Sequence, residues 1–311
     1  MTKILVTGGL GFVGSHLVDY LRDVKDYKVT VIDNLCSESS SRNYIRNDVE
    51  YWIDDVRNLM DRKYAGQSFD VVYHLAALAR IQPSFKDPLS YLSIDIQGTA
   101  VACEYARQCG AKLIYAGSSS AYAGHFLNPY SFAKYTGEQV CTLYHEVYGM
   151  STVVARFFNV YGKRQPTFGD YATVVGIFEN FTEKGKPLTV TGDGEQRRDF
   201  THVSDIVKGL VALGEKDWSQ NDTTWIFNIG TGKNYSINEL AQMFGGEIQY
   251  IPKRPGEAQD TLCDYSLLQR ETGWQPTVDL EQYVQEFLQN RGEKDTMSQW
   301  NPLKAIRNFL S

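Results

Sequence analysis

The stretch Lys3-Ile-Leu-Val-Thr-Gly8-Gly-Leu-Gly11-Phe-Val-Gly14-Ser-His16 decides the fold. An apolar, β-branched run leads into three glycines with two residues between each and the next, and a helical pattern follows. The first glycine permits a tight turn, the second lets the backbone approach a pyrophosphate, and the third lets the helix pack on the strand. Free amide groups at the start of the helix then face an anion. The stretch therefore predicts a dinucleotide-binding turn.

An acid at the end of the next strand strengthens this prediction. Lys28-Val-Thr-Val-Ile-Asp33 has the pattern of a strand, and Asp33 lies 19 residues after Gly14 (33 − 14). At that distance an acid can accept hydrogen bonds from the hydroxyls of a ribose.

Composition limits the class of protein. The chain has 311 residues, 42% hydrophobic and 22% charged, with a formal net charge of −6. These values are typical of a globular protein with one large fold, and they argue against nucleic acid as a partner. The sequence shows neither a membrane-spanning run nor a signal-peptide pattern, so we expect a cytoplasmic protein that does not bind membranes. The five cysteines are scattered, which predicts neither disulfides nor a metal site.

Strand and helix patterns alternate through the first half of the chain. This alternation predicts an α/β fold with a doubly wound parallel sheet (Rossmann) and a smaller α/β substrate lobe. The NAD-binding domain is predicted at 1–165 plus about 202–232, and the lobe at about 166–201 plus 233–311. A serine-rich loop is expected at 34–42. The tail from Gly292 is polar and then carries Trp300 and a short amphipathic end, and we expect it to be a packed or frayed terminus. The predicted strands are Lys3–Thr7, Lys28–Asp33, Glu50–Asp54, Phe69–Ala76, Lys112–Ala116, Thr152–Phe157 and Trp225–Ile229, and the long helices are Pro88–Gly110 and Pro129–Tyr148.

A serine, a tyrosine and a lysine suggest proton transfer. Ser118 follows the predicted Lys112 strand, and Tyr130 and Lys134 share one face of the next helix. A phenol titrates near ~10 when unperturbed. We expect Lys134, with a cationic nicotinamide, to lower the pKa of Tyr130 so that it acts as a base. Ser118 would share the proton or hold the substrate hydroxyl.

Together these motifs resemble the extended short-chain dehydrogenase/reductases, in particular the NAD-dependent nucleotide-sugar epimerases and dehydratases. The resemblance covers nearly the whole chain and is strongest to the UDP-glucose 4-epimerase type. The matching pieces are Thr7–Gly14, Asp33-Asn-Leu35, Asp55-Val56, His74-Leu-Ala-Ala77, Ser118, Tyr130-x-x-x-Lys134, Arg156-Phe-Phe-Asn-Val-Tyr-Gly162, Arg198-Asp-Phe-Thr-His-Val203 and Arg254-Pro-Gly-Glu257.

The resemblance implies a role for each matching residue. It implies tightly bound NAD, a nucleoside diphosphate sugar as substrate, and a homodimer formed by the two long helices, for which Val101, Tyr105, Leu143 and Val147 are compatible. Ser118, Tyr130 and Lys134 would be catalytic, with Tyr130 and Lys134 also touching the cofactor. Asn159, Arg198 and Arg254 would hold the substrate diphosphate. The cofactor would be held by Gly8, Gly11, Phe12, Val13, Gly14, Asp33, Asn34, Asp55, Val56, Ala76, Ala77 and Ala79.

Two features depart from the family pattern. Asp95 stands where the family usually has Asn, and an ionised Asp cannot donate a hydrogen bond. The segment from Ser118 to Tyr130 is only 12 residues long (130 − 118), about half the usual length. Because the missing part usually forms the rim of the sugar pocket, we expect a more open or differently walled pocket.

The residues after Ser118 discriminate between reactions of the family. Dehydratases and decarboxylases carry acids there, whereas this chain has Ser119 and Ser120. Serines are poor acids and bases, and epimerisation needs no third titrating group. We therefore expect epimerisation at C4 of a sugar nucleotide, with a UDP-linked hexose as the expected substrate, through a transient 4-keto sugar. The alternatives are a nucleotide-sugar 4,6-dehydratase or another NAD-dependent nucleotide-sugar dehydrogenase or reductase.

Overall fold

The computed structural model describes residues 1–36, 42–218 and 224–299, with side chains as far as residue 291. Most of the predicted loop at 34–42 and the segment with Trp300 lie outside the described residues.

Seven parallel strands form the main sheet, which confirms the predicted Rossmann-like α/β fold. Their apolar residues alternate between two buried faces. In the first strand, Ile4 and Val6 pack on one side and Leu5 packs on the other. The strands are β1 (Lys3–Thr7), β2 (Lys28–Ile32), β3 (Glu50–Trp52), β4 (Val71–His74), β5 (Lys112–Ser118), β6 (Thr152–Phe157) and β11 (Trp225–Ile229).

The strand order places a binding site at one edge of the sheet. The order is β11-β6-β5-β4-β1-β2-β3, so β1 lies between β2 and β4 and the chain leaves it in both directions. Thr7 at the end of β1 is in register with Ile32 of β2 and His74 of β4. At such a reversal of strand order, the loops after the strands separate and leave a crevice for a ligand.

Helices cover both faces of the sheet. On one face α1 (Phe12–Asp23) packs beside α7 (Val203–Glu215), and on the other α4 (Gly98–Cys109) packs beside α5 (Pro129–Tyr148). Apolar residues of α1 and α7, such as Leu17 and Leu210, are fully buried. The two layers give the sheet the buried environment that parallel strands require.

The outer faces of α4 and α5 only partly match the expected dimer contact. Leu143 and Val147 are exposed, at 53% and 60%. Tyr105 is instead a core residue, buried to 4% exposure, and Val101 packs against the same core. The homodimer stays a prediction.

The predicted helix Pro88–Gly110 is not one regular helix. It divides into α3 (Pro88–Tyr91), a π-helical turn (Leu92–Gln97) and α4. A short helix, α2 (Ile81–Lys86), precedes them. Turns of the π type are rare and often lie at functional sites. This one carries Asp95.

A third core belongs to the second lobe. It joins residues from Tyr161 to Phe200 with residues from Tyr235 to Val284, so two separated segments build it. We propose these segments as the substrate lobe. The remaining elements are β7 (Val160–Tyr161), α6 (Val174–Glu183), β8 (Leu188–Thr191), β9 (Arg197–Asp199), β10 (Thr201–His202), β12 (Asn234–Ser236), α8 (Ile237–Phe244), β13 (Ile248–Ile251), α9 (Ser266–Thr272) and α10 (Leu280–Gln299).

The described helices include none with the length and apolar character needed to cross a bilayer. Within the same residues, no group of three or more His, Cys, Asp or Glu side chains is placed to hold a metal ion.

Candidate active site

One cavity of about 450 Å³ lies at the carboxyl ends of the strands. Every residue that the sequence suggested for cofactor, catalysis or substrate lines it, from Gly8 at one end to Arg254 at the other. The volume is in the range of small-molecule sites. The structure thus brings the predicted residues together, while their individual roles stay predictions.

The glycine turn has the close contacts that its spacing predicts. Gly8 has a φ of +73°, and a Cβ there would lie 2.8 Å from the backbone nitrogen of Ala76. A Cβ on Gly14 would lie 2.0 Å from the carbonyl oxygen of Gly8. Gly11 is the N-cap of α1, and no side chain caps the helix. The first amides of α1, at Phe12 and Val13, therefore start a helix that lines the cavity and suits a pyrophosphate.

Asp33 connects this turn to the next strand end. Its Oδ2 accepts a hydrogen bond from the Leu10 amide at 2.9 Å, and its Oδ1 accepts one from the Leu35 amide at 2.8 Å. The carboxylate is 6% exposed and lines the cavity. Each oxygen can accept a further bond, so the residue fits the predicted ribose contact.

Asn34 and Asp55 hold each other beside Asp33. The Asn34 amide donates to Asp55 Oδ2 at 2.9 Å, and Arg57 donates to Asp55 Oδ1 at 2.8 Å. This hydrogen bond from Arg57 is the main cause that lowers the pKa of Asp55. These hydrogen bonds link Asn34, Asp55 and Arg57 at the predicted adenosine end of the cavity.

The catalytic group predicted from sequence is assembled at the end of β5. Ser118 is 8% exposed, and its Oγ accepts a hydrogen bond from the Ser120 amide at 3.1 Å. Tyr130 lies in the first turn of α5 and hydrogen-bonds to Ser118. Lys134 is 4% exposed, and its Nζ donates to the Ala116 carbonyl at 3.0 Å.

The expected lowering of the Tyr130 pKa by Lys134 together with a cationic nicotinamide stays a prediction. Burial raises the pKa of Tyr130, while the hydrogen bond from Ser118 and the charge of Arg80 oppose that rise. Lys134 instead lies over the ring of Tyr115, 5.2 Å from its centroid, and burial lowers its own pKa. The cation that acts on the phenol is thus Arg80, which the sequence did not suggest.

Asp95 is a buried carboxyl behind this group. Its Oδ1 accepts a hydrogen bond from the Leu78 amide at 2.8 Å, and among the described residues its buried Oδ2 has no hydrogen-bond partner. Burial raises the pKa of Asp95 to about 7, against the smaller opposing effect of the Lys134 charge. Asp95 is not among the residues that line the cavity, and it lies close enough to Lys134 for that charge to affect its pKa.

Asp95→Asn should make the protein more stable than wild type in mildly alkaline solution. Because burial raises the pKa of Asp95 when the chain folds, its contribution to stability is greatest below about pH 4. That contribution falls as the pH rises to about 7 and stays low above it. Asparagine is neutral throughout this range. The difference in unfolding free energy between Asp95→Asn and wild type should therefore grow in favour of the variant by a few kcal/mol, in order of magnitude, between about pH 5 and pH 8. Denaturant unfolding at both pH values measures it.

The exposed Asp61 is the matched control for this change. Asp61→Asn should leave the gap to wild type the same at both pH values. An equal gap at both pH values for Asp95→Asn would show that Asp95 stays ionised in the folded protein.

A histidine network that the sequence did not predict fixes the loop after β4. Thr7 Oγ1 accepts from the Ala76 amide at 3.1 Å and lies 2.7 Å from Nδ1 of His74, to which it donates. Nε2 then carries the proton and donates to Thr99 Oγ1 at 3.1 Å, and Thr99 donates to the Asp95 carbonyl at 2.5 Å. Burial lowers the pKa of His74 to about 3, so the ring is neutral. The ring thus orients the Thr7 hydroxyl, which in turn accepts the hydrogen bond from the Ala76 amide at the cavity wall.

The predicted diphosphate residues come from the second lobe and the loop before it. Arg198 is 8% exposed, and its side chain lies 3.8 Å from the Glu257 carboxylate. Arg254 and Asn159 line the same cavity. Burial lowers the pKa of Arg198. Two arginines on one wall suit a diphosphate because guanidinium groups bind phosphate oxygens in pairs.

The short segment between Ser118 and Tyr130 is in contact with a distant part of the chain. Asn128 donates to the Gly256 carbonyl at 3.0 Å, and nearby Gln82 donates to the Pro255 carbonyl at 2.9 Å. Residues of the loop with Arg254 therefore lie at the rim of the cavity. These contacts count against the expected more open or differently walled pocket, which stays a prediction.

The sequence profile of the NAD dependent epimerase/dehydratase family matches residues 4–230. This chain belongs to that family, whose enzymes act on nucleotide sugars with NAD as cofactor.

Individual relatives show how the family divides. The chain is 35% identical to a Methanocaldococcus jannaschii protein named "Putative UDP-glucose 4-epimerase", over 90% of this chain and 95% of the relative. It is 32% identical to UDP-glucuronic acid decarboxylase 1 of Xenopus tropicalis, over 90% of this chain and 70% of that protein. The crystal structure of UDP-glucose 4-epimerase from Thermotoga maritima with UDP-glucose is similar, with a TM-score of 0.85, 30% identity and coverage of 93% and 99%.

Proposed function

We propose that this enzyme is a 4-epimerase of a nucleoside diphosphate sugar, with a UDP-linked hexose as substrate and a transient 4-keto sugar as intermediate. The pair Ser119 and Ser120 carries the proposal. These residues follow Ser118 where the dehydratase and decarboxylase branches have acids. The names of two similar proteins, a relative and a solved structure, support the same reaction and nucleotide.

Tyr130 is the base in this proposal. Its phenol hydrogen-bonds to Ser118 at the cavity wall, where a sugar hydroxyl can approach both oxygens. Tyr130 takes the proton of the C4 hydroxyl. It later returns this proton to the same oxygen, when C4 has the opposite configuration. Arg80 favours the phenolate that accepts this proton, and Lys134 adds a buried positive charge behind the base.

The cofactor site fits the chain's own geometry. The glycine turn leaves no room for a side chain at Gly8 or Gly14, and Asp33 stands where it can accept the adenosine ribose hydroxyls. When bound, NAD supplies the reversible two-electron oxidation of the sugar carbon. An epimerase must keep its cofactor through the whole cycle, so we expect NAD to remain bound after purification.

The diphosphate residues allow the sugar to turn. Asn159, Arg198 and Arg254 would hold the diphosphate, while the keto sugar presents first one face and then the other to Tyr130. The binding energy is thus placed on the part of the substrate that does not react. This division suits epimerisation, because the sugar itself must not be held in one orientation too tightly.

Other acids near the sugar end are already paired. Asp170 and Glu257 line the cavity, but Asp170 lies 2.7 Å from Lys86 and Glu257 lies 3.8 Å from Arg198. Neither is in a position equivalent to the acids of the other branches. Loss of water or of a carboxylate from the sugar needs such a group to move a proton at C5.

The proposal predicts C4 epimers as products. Wild-type enzyme with UDP-glucose, UDP-N-acetylglucosamine or UDP-glucuronic acid should convert at least one of them to its C4 epimer, as followed by proton NMR. A 4-keto-6-deoxy product would instead establish the dehydratase alternative, and a pentose with release of carbon dioxide would establish a decarboxylase. Net oxidation with release of reduced cofactor would establish a dehydrogenase.

A further inference from the structure

One side chain links the start of helix α5 to a distant loop of the chain. Asn128, in the short segment before Tyr130, is buried to 5% exposure. Its Oδ1 accepts a hydrogen bond from the Ser131 amide at 2.8 Å, and its Nδ2 donates to the Gly256 carbonyl at 3.0 Å. A side-chain amide offers both an acceptor and donors, so Asn128 makes the two bonds at once.

The first of these bonds fixes the backbone at Tyr130. Asn128 is the N-cap of α5, and Tyr130 is the second residue of that helix. The bond from the Ser131 amide closes around Tyr130, and the backbone carbonyl of Asn128 accepts a further bond from the Phe132 amide at 3.1 Å. An N-cap holds the first turn of a helix, where amides otherwise lack partners. The position of the Tyr130 backbone therefore follows that of Asn128.

The second bond reaches the Arg254 loop (residues 254–257). Arg254 and Glu257 of this loop line the cavity on either side of Gly256 in the chain. Gly256 has a φ of +73°, and a Cβ there would lie 2.9 Å from the Phe85 ring and 3.3 Å from the Leu127 carbonyl oxygen. The backbone of the loop is thus packed closely against α2 and against the segment that carries Asn128.

The two bonds of Asn128 join parts of the site that would hold opposite ends of one substrate. In the proposed function, Tyr130 acts at C4 of the sugar and Arg254 holds the diphosphate. Asn128 is not among the residues that line the cavity, so it acts through the residues that it holds. A reacting atom that is misplaced by about 1 Å can cost about 100-fold in rate. The distance between the two ends is therefore important for catalysis.

We propose that Asn128 is a positioning residue, which fixes the start of α5 relative to the Arg254 loop so that a diphosphate bound there places the sugar at Tyr130. This inference rests on the proposed function, which assigns the base and the diphosphate site. Coupling between two sites is reciprocal. UDP bound at the Arg254 loop therefore also stabilises the first turn of α5, through Asn128.

Two substitutions separate the bonds of Asn128. Asn128→Ser and Asn128→Asp both keep an oxygen that caps α5, and Ser, Asp and Asn are similarly good N-caps. The serine side chain is too short to reach the Gly256 carbonyl, and an ionised aspartate has no proton to donate to it. Both variants should therefore fold like wild type and lack only the link to the Arg254 loop.

Hydrogen exchange with UDP tests the link without turnover. In wild type with NAD, saturating UDP should slow the exchange of the amides of residues 131–134 by at least about threefold. In Asn128→Ser and Asn128→Asp, saturating UDP should leave this exchange unchanged, although calorimetry shows that UDP still binds. Asn238→Ser is the matched control, because it removes a similar bond, to the Asp193 carbonyl at 2.9 Å, between residues that do not line the cavity. This control should keep the effect of UDP.

Turnover gives a second readout. On whichever of UDP-glucose, UDP-N-acetylglucosamine or UDP-glucuronic acid the wild type consumes, both Asn128 variants should lower kcat by about 10- to 100-fold. KM should change far less, because Arg198 and Arg254 still hold the diphosphate. Asn238→Ser should turn over like wild type.

The outcomes separate this inference from the proposed function. Wild-type kcat in both Asn128 variants, or an effect of UDP on α5 that persists in both, would overturn the inference and leave the epimerase intact. A loss of kcat that comes with an equal loss of NAD and of unfolding free energy would assign Asn128 to capping α5 alone. Failure of wild type to bind UDP would remove the diphosphate site and the inference with it. A product other than a C4 epimer, with the expected effects in both variants, would remove the epimerase and keep the positioning role.

Discussion

Tyr130→Phe should lower turnover by about 10²- to 10⁴-fold while NAD stays bound. The phenol hydroxyl is the group that would take the sugar proton, and its ring should keep the packing in the first turn of α5. Ser118 cannot replace it, because an unassisted serine hydroxyl is a far weaker base near neutral pH. Turnover by NMR and the amount of NAD released on denaturation measure the two effects.

Tyr250→Phe is the matched control. Tyr250 is 57% exposed in β13, and its hydroxyl lies 3.2 Å from Asn238 Oδ1, outside the cavity. This variant should turn over like wild type. Unchanged turnover in Tyr130→Phe would exclude Tyr130 as the base, and loss of NAD together with turnover would show that the ring hydroxyl mainly supports cofactor binding.

Asp199→Ala should destabilise the protein by about 3–5 kcal/mol, because several buried donors lose their acceptor at a cost of about 1–3 kcal/mol each, less than additively. The carboxylate is fully buried and accepts bonds from the amides of Thr231, Gly232 and Cys263 at 2.9, 2.8 and 3.1 Å. The Thr231 hydroxyl donates to it as well, at 2.7 Å. Alanine leaves these donors buried without an acceptor. Denaturant unfolding measures the loss.

Asp61→Ala is the control for this prediction. Asp61 is exposed, and its contact with Lys63 is at 4.0 Å, so removing it should change stability by less than about 0.5 kcal/mol. A similarly small change in Asp199→Ala would show that water or local movement satisfies the three amides. Because Asp199 follows Arg198 in β9, we also expect weaker binding of UDP by the Ala variant.

The fold was predictable because its signals are local. Alternating apolar runs and glycine spacing define β1, β2 and the turn between β1 and α1, and each signal lies within a few consecutive residues. The π-helical turn at Leu92–Gln97 was not predictable in this way. Its sequence is compatible with a regular helix, and it is the folded chain that places Asp95 against the Leu78 amide.

The missed site residues depend on distant parts of the chain. Arg80 looks like an ordinary loop arginine until the loop with Tyr171 arrives beside it. Asp199 lies in an arginine-rich run that suggests a ligand contact, whereas its partners, Thr231 and Cys263, follow 32 and 64 residues later. No spacing rule connects such pairs, so only the structure assigns them. Both Arg80 and Asp199 lack a residue of opposite charge three or four positions away in the sequence, and this is the signal that could have marked them.

The last strand of the main sheet is made late. During synthesis β1 to β6 emerge together with the helices between them, but β11, which pairs with β6, follows only after residues 158–224. Until then β6 pairs only with β5, and its other side is an open edge of the sheet that can pair with another chain. A nascent or truncated protein that stops before residue 225 is thus the form most exposed to aggregation. The edge is covered only when β11 pairs with β6, after the first of the two segments that build the second lobe has been made.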